Sequence, residues 1–325
     1  MTNPPERRYG DALTIGLDVG GTKIAGGLVD RTGTVLHTSR VETPDTTTAS
    51  IVSAIVDLTK ELRTVGGERV AAVGIAAAGY IDAARSTVLF APNIVWRNTP
   101  LRDLVVAQIG LPVVVENDAN AAAWGEFVFG TGRDVEDMLM VTVGTGLGGG
   151  IVASGQLYRG AFGIGGEVGH IRVVPDGHRC GCGNRGCWEV YASGTALVRE
   201  ARALAASGSP KAGAILDLAG GDDAAITGAM VTEAATHNDP AAVELLEDLG
   251  TWLGEGIASC TAVLDPALVV IAGGVAEAGE LLLAPAREAF RRQLTGRSYR
   301  PVLDIERASL DLAGIVGASD LARIA

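Results

Sequence analysis

Met138-Leu139-Met140-Val141-Thr142-Val143, then Gly144-Thr145-Gly146-Leu147-Gly148-Gly149-Gly150, then Ile151-Val152-Ala153 make an apolar run, a glycine run and a second apolar run. The outer segments read as strands and the glycines as the loop between them. The same plan occurs earlier in the chain. Leu13–Gly20 and Thr22–Asp30 are strand-like runs joined at Gly20-Gly21, and Thr34–Glu42 reads as a third strand after the turn Asp30-Arg31-Thr32-Gly33. A strand–glycine–strand unit that begins twice predicts a duplicated fold.

Between the two starts the pattern alternates. Ile51, Ile55, Leu58 and Leu62 fall on one helical face behind capping threonines. Val70–Ala76 is a short apolar strand, Leu101–Ile109 a helix, Val113–Val115 a buried strand and Ala119–Val128 a helix. After the second start come helices near Ala196–Ala206 and Pro240–Ser259, the latter opened by Asp239-Pro240. Leu268–Ala272 is a late strand ending in Gly273-Gly274, with a helix behind it; Val302–Ile305 and a helix from about Leu312 close the chain. The order implies a mixed sheet covered by helices, an α/β fold. No low-complexity linker separates the halves, which puts the expected boundary at a hinge near Asn117–Asn120.

Composition bounds the chemistry. The chain has 325 residues, 47% of them hydrophobic, which suits two domains or one large one and excludes a disordered chain. Glycine is the anomaly, at 45 residues. With only 12 prolines, collagen and proline-rich linkers are excluded, so the glycines serve turns, close backbone approaches or ligand loops. A net charge of −12 and an aromatic content of 4% argue against a nucleic-acid partner. Residues 1–10 contain no apolar leader core, and no apolar run is long enough to cross a membrane, so a cytoplasmic protein with no membrane partner is expected.

Four constellations carry chemistry. In Asp18-Val19-Gly20-Gly21-Thr22-Lys23, the glycines let backbone approach a phosphate, Thr22 and Lys23 offer donors, and Asp18 can hold a hydrated Mg²⁺. The order of Thr and Lys excludes a Walker A loop, and a plain hairpin bend fits the same residues. Gly144–Gly150 contains a literal G-x-G-x-x-G, but a strand follows it where a dinucleotide-binding loop needs a helix; a second phosphate loop is the better reading. Glu116-Asn117-Asp118 ends a buried strand and starts a helix, where Asp118 can serve as a general base or where Asn and Asp can simply cap the helix, with Asn120 an equal candidate for the cap. His170, Cys180, Cys182 and Cys187 form a Cys₃His set of the structural-zinc type, while Cys260 reads as core. Glu167 and Glu189 flank that set and suit the hydroxyls of a polyol, fixed by a metal-stiffened loop.

Together these residues resemble the ROK family (repressor, open reading frame, kinase), and within it the bacterial sugar kinases. The resemblance runs from about Leu13 to Ala322. Its most specific parts are Gly146, Gly148, Gly150-Ile151, Gly160, Gly166 and Gly169-His170, and the segment Cys180-x-Cys182-Gly183-x-x-Gly186-Cys187-x-Glu189. It implies an actin-like ATPase (ribonuclease-H-like) duplicated fold, two lobes around a cleft with a structural zinc loop. The small lobe would be 1–117, with 303–325 packing back on it, and the large lobe 118–302. It implies transfer of the ATP γ-phosphoryl group to the 6-hydroxyl of glucose, with Asp118 as base and Asn117, Glu167, His170, Glu189, Gly79 and Asn93 around the sugar. His170 would serve zinc with one ring nitrogen and sugar with the other. Asp18, Gly20, Gly21, Thr22 and Lys23 would form the first phosphate loop, Gly144, Thr145 and Gly146 the second, and Gly273 and Gly274 the adenosine side. The implied cofactors are ATP with catalytic Mg²⁺ and structural Zn²⁺, and the implied assembly is a homodimer or homotetramer. Other hexose or N-acetylhexosamine kinases and sugar-sensing regulators share most of these residues. The family's repressors carry a DNA-binding domain ahead of the sugar lobe, which a first strand near Leu13 is expected to leave no room for. The family often has Pro-Gly-Pro after the strand near residue 76; here Ala77-Ala78-Gly79-Tyr80-Ile81-Asp82 keeps Gly79 and Asp82 without the prolines.

Overall fold

The structure is a computed structural model that describes residues 8–44 and 47–324. The leader reading at residues 1–7 lies outside the described residues. In chain order the elements are β1 (Leu13–Val19), β2 (Lys23–Val29), β3 (Val35–Glu42), α1 (Thr48–Gly66), β4 (Val70–Ala77), β5 (Tyr80–Ile81), β6 (Val88–Phe90), β7 (Arg97–Thr99), α2 (Leu101–Ile109), β8 (Val113–Asn117) and α3 (Asp118–Phe129). Then come β9 (Met138–Val143), β10 (Leu147–Ala153), β11 (Gln156–Tyr158), α4 (Gly194–Ala206), α5 (Gly213–Leu218), α6 (Gly228–Thr236), α7 (Pro240–Leu264), β12 (Leu268–Ala272), α8 (Glu280–Gln293), β13 (Asp304–Arg307) and α9 (Ala313–Ile324).

The expected duplication is visible in the wiring. One sheet has the order β3–β2–β1–β4–β8 and the other β11–β10–β9–β12–β13. Each lays three consecutive strands side by side and then adds two later ones. In the first sheet β1 pairs antiparallel with β2 and parallel with β4, and β4 pairs parallel with β8. A small sheet, β5–β6–β7, was not expected from the sequence; its strands have only two or three residues each, too few to show a period.

The chain forms two compact units. Among the described residues, unit 1 comprises those up to 139, 150–166 and those from 308 onward, and unit 2 comprises 140–149 and 167–307. The expected lobe boundary at 117/118 falls within unit 1, at the uninterrupted junction of β8 and α3. The reason is α9, which packs along α3 and across β1 and β4. That packing needs glycine. A Cβ on Gly16 or Gly74 would overlap carbonyl groups of α9 (Ile315 and Ala318), and one on Gly317 would overlap the Ala121 carbonyl of α3. Part of the glycine excess therefore serves helix–sheet and helix–helix contact rather than ligand loops.

The helix starts obey their local chemistry. Thr47 caps α1, accepting from Ser50 N at 3.1 Å, and Asp239 caps α7 with Pro240 in its first turn. The core of the first sheet is Ile15, Leu17, Val73, Ile75 and Val115 under Ile55, Leu58 and Leu62 of α1, all at most 1% exposed.

Candidate functional site

In unit 1, β1, β4 and β8 run parallel and end level. Their register pairs Val19 with Ala77, and Ala77 with Asn117. The carboxyl ends of parallel strands are where α/β sheets bind ligands. Three predicted residue groups gather there: Asp18 with the Gly20–Lys23 turn, Gly79, and Asn117-Asp118.

The turn is held by Gly20 N donating to Lys23 O at 3.0 Å and by Thr43 Oγ1 donating to Gly20 O at 2.8 Å. Gly21, Thr22 and Lys23 are exposed. Neither Gly20 nor Gly21 has a positive φ. A Cβ on Gly21 would instead meet Asn93 O at 3.1 Å, so predicted residue Asn93 lies against this turn.

Asn117 is the cap of α3: its Oδ1 accepts from Asn120 N at 3.0 Å. Neither Asn120 nor Asp118 takes that role, and Asp118 stands in the first turn. The two amide hydrogens of Asn117 go to Gly79 O at 3.1 Å and to Asp118 Oδ1 at 3.0 Å. Asn117, expected beside the sugar, thus orients the Asp118 carboxylate.

Asp118 reaches solvent but is crowded by protein. Desolvation holds its carboxyl above the usual carboxylate range, opposed by hydrogen bonds from backbone N–H groups and from Asn117. Asp18 is raised to about 6 by burial first and by the charge of Asp118 second, with Lys23 pulling the other way. The start of α9 adds favourable dipole, since a Cβ on Gly314 would lie 3.7 Å from Asp18 Oδ2. Two carboxylates in need of compensating positive charge fit a divalent cation.

A stability prediction follows from Asp18. The folded state holds its proton up to about pH 6, whereas the ordinary carboxyl releases it near 3.8. Its contribution to stability is therefore greatest below pH 4, is lost as pH rises toward 6 and stays lost above. Asp18→Asn removes that penalty, worth at most about 3 kcal/mol. Thermal unfolding from pH 4 to 8 should show the variant gaining on the wild type across pH 4–6; parallel curves would contradict the assignment.

Unit 2 holds the other predicted residues. The ligand atoms of His170, Cys180, Cys182 and Cys187 all lie within 4.8 Å of one another. Cys180 Sγ is 3.6 Å from His170 Nδ1, and Cys182 Sγ is 3.6 Å from Cys187 Sγ. Zinc–sulfur bonds near 2.3 Å in a tetrahedron put sulfurs about 3.8 Å apart, so the donor set and its spacing fit zinc. Burial pushes the Cys180 thiol up to about 12, so a metal would have to displace its proton. The loop is stiffened from below. Trp188, fully buried, donates from Nε1 to Trp252 O at 2.8 Å on α7, and a Cβ on Gly256 would collide with its ring.

The flanking glutamates take different positions. Glu167 Oε2 lies 3.9 Å from His170 Nε2, so the imidazole turns Nδ1 to the sulfurs and Nε2 to the carboxylate. Glu189 bridges two motifs: Oε1 lies 3.6 Å from Cys180 Sγ, and Oε2 accepts from Leu147 N at 3.1 Å. A Cβ on Gly146 would overlap that same oxygen, which explains this glycine. The expected second phosphate loop is shorter than Gly144–Gly150. Gly148, Gly149 and Gly150 belong to β10, and only Gly144, Thr145 and Gly146 form the turn. Gly150 is small because a Cβ there would come 3.0 Å from Ala119 O of α3. The turn is braced by Gly194 N to Gly144 O at 2.8 Å and Thr195 Oγ1 to Thr145 O at 2.6 Å. Gly273 (φ +92) backs onto Val143, and Gly274 is exposed with open space around it.

Sequence reasoning missed two arginines. Glu116 is 1% exposed and faces Arg85 Nε at 2.9 Å and Arg159 Nε at 2.8 Å. A glutamate ending an apolar strand signals a buried cation partner, but nothing in the spacing identifies which of 26 basic residues supplies it.

The chain is 50% identical over 312 residues to a Streptomyces coelicolor protein named glucokinase, covering 96% of this chain and 98% of that one. It superposes with a TM-score of 0.88 on a ROK family glucokinase from Streptomyces griseus crystallised with glucose and AMPPNP, at 51% identity over 96% of this chain and all of the other. A ROK hexokinase from Thermus thermophilus matches with a TM-score of 0.80 and 35% identity, over 95% and 97% of the two chains. The model of the ROK family matches residues 14–325, so this chain belongs to the ROK family.

Proposed function

We propose that this protein is a glucokinase: it transfers the γ-phosphoryl group of ATP to the 6-hydroxyl of glucose, with Asp118 as the general base. One observation carries the reading. Asp118 follows directly on β8, its Oδ1 fixed by Asn117, at the same end of the parallel strands as Asp18, whose carboxyl feels its charge, and the Gly20-Gly21 turn. A carboxylate held on its protein side by the Asn117 amide and backbone N–H groups still has lone pairs to offer a substrate hydroxyl. The Streptomyces griseus structure, with glucose and an ATP analogue, supports the same pair of substrates for this chain.

Phosphoryl transfer passes through a loose transition state in which positioning and charge neutralisation dominate. Gly20 N and Gly144 N close their own turns, so the backbone donors left for phosphate oxygens would be those of Gly21 and Thr22 in the first turn and Thr145 and Gly146 in the second, which is how a chain of net charge −12 could bind a polyanion. Gly273 and Gly274 would lie on the adenosine side, where Gly274 has open space around it. Mg²⁺, held through Asp18, would neutralise phosphate charge when bound. Glu167, His170 through Nε2, and Glu189 take hydroxyls of the sugar, with Gly79 and Asn93 at its margin. Asp118 accepts the proton of the 6-hydroxyl as that oxygen bonds to the γ-phosphorus and the bond from the γ-phosphorus to the β,γ-bridging oxygen breaks, releasing ADP. Cys180, Cys182, Cys187 and His170 would hold Zn²⁺, which when bound would stiffen the loop and fix the His170 ring, leaving the transfer itself to the other residues.

The test is a coupled assay of ADP release over a panel of hexoses, N-acetylhexosamines and phosphoryl donors. Glucose with ATP should give the highest kcat/KM. Preference for an N-acetylhexosamine, or no turnover with any sugar of the panel, would overturn the assignment.

A further inference from the structure

One carboxylate beside Asp118 takes no part in the chemistry above. Glu116 immediately precedes Asn117-Asp118, is 1% exposed, and gathers four groups. Oε2 faces Arg85 Nε at 2.9 Å and Arg159 Nε at 2.8 Å. Oε1 accepts from Asn117 N at 3.0 Å and from Asn120 Nδ2 at 3.3 Å. The last two are the residues that bracket Asp118. Asn117 orients the Asp118 carboxylate and caps Asn120 N, so the turn carrying Asp118 hangs on Glu116 Oε1.

The arginines tie this turn to a second segment. Arg159 donates from its terminal nitrogens to Asp82 O at 2.9 Å and Ala83 O at 3.0 Å. Arg85, at φ +53, receives Val115 N on its own carbonyl at 3.1 Å. Asp82 Oδ1 in turn accepts from Ser86 N and Thr87 N. The 82–87 segment is thereby bolted to the end of β8, and it continues from Gly79, whose carbonyl holds the other hydrogen of the Asn117 amide. Stability alone does not call for this cluster. A well-packed apolar trio of similar volume commonly equals or exceeds a buried ion triad. What the cluster supplies is direction: Arg85 Nε donates to Oε2, Asn117 N and Asn120 Nδ2 donate to Oε1, and Arg159, whose Nε lies near Oε2 outside hydrogen-bond geometry, adds its charge.

We infer that Glu116, gripped by Arg85 and Arg159, is the positioning residue that sets the orientation of Asp118 for proton transfer. The inference rests on Asp118 being the base. Misplacing a reacting group by about 1 Å costs on the order of 10²-fold in rate. Glu116→Gln keeps the shape and removes the charge that both arginines need; it should lower kcat with glucose and ATP by about 10²-fold while KM for ATP stays within twofold. Arg159→Lys keeps the charge but loses the fork to Asp82 and Ala83; its kcat should fall about 10-fold.

Breaking a buried pair also destabilises, so the double variant Glu116→Gln/Arg85→Gln, which removes one charge of each sign, separates the two effects. Its melting temperature should recover toward that of the wild type while kcat stays low. Recovery of kcat together with stability would reduce the triad to a structural role. An active wild type with Glu116→Gln and Arg159→Lys both within twofold in kcat would overturn the inference alone. A wild type inert toward glucose and ATP would take down the base assignment with it.

Discussion

Asp118→Asn is expected to lower kcat by about 10²–10⁴-fold, the range that a general base supplies, and to leave glucose affinity within a few-fold of the wild type. Asn keeps an oxygen for the Asn117 amide, which donates to Asp118 at 3.0 Å, so the side chain should hold its place. What it loses is the ability to take a proton. Folding should not suffer, because burial already penalises the ionised carboxylate at this position. A melting temperature equal to or above that of the wild type, with intact glucose binding and negligible turnover, is the signature of a base. Substantial kinase activity in the folded variant would remove that role from Asp118.

The second large effect is expected at the metal loop. Cys182→Ala should abolish stoichiometric zinc and raise KM for glucose by about 10–100-fold, the cost of losing the groups that orient a ligand set. Cys182 is exposed, so the substitution leaves no buried cavity, and its consequences pass through the metal. The path runs through His170, whose Nδ1 faces Cys180 and whose Nε2 faces Glu167, and through Glu189, which touches both Cys180 and the Gly146–Leu147 backbone. Through that last contact KM for ATP should also rise, though less than KM for glucose. Metal analysis with steady-state kinetics checks both. Well under one zinc per wild-type chain, or a zinc-free variant with unchanged KM for glucose, would contradict the account.

Much of this was legible in the residues. The apolar runs around Gly20 and Gly144 place β1, β2, β9 and β10 because strand length and glycine turns are local properties. The Cys180–Cys187 spacing points to a candidate metal site because three sulfurs and one imidazole in a short loop have few other uses, and the structure brings the four ligand atoms within 4.8 Å of one another. The glycine run was harder. Gly144 and Gly146 serve the turn, but Gly150 is dictated by α3 and Gly16, Gly74 and Gly317 by close packing with α9, contacts that no local pattern records. For the same reason α3 was expected in the second lobe: a break in periodicity at Asn117 looks like a hinge, while the helix that holds α3 to the first sheet arrives almost two hundred residues later, as in the bond from Trp124 Nε1 to Asp320 Oδ2 at 3.0 Å. Arg85 and Arg159 were invisible because a buried charge announces only that it needs a partner.

The division of labour at the site also became clearer than residue types allow. Asn117, of a type that suits a sugar hydroxyl, spends both amide hydrogens within the protein. Glu189, expected on the sugar, also braces the second glycine turn. Side chains with such double employment tie the order of one loop to that of its neighbour, and substitution there should affect both substrates.

The most direct measurement is the identity of the product. Wild-type protein incubated with glucose, ATP and Mg²⁺, followed by NMR of the reaction mixture, should show phosphate on the oxygen at carbon 6 and one ADP for each sugar phosphorylated. Phosphate on another oxygen, or ADP formed without sugar phosphate, would contradict the account.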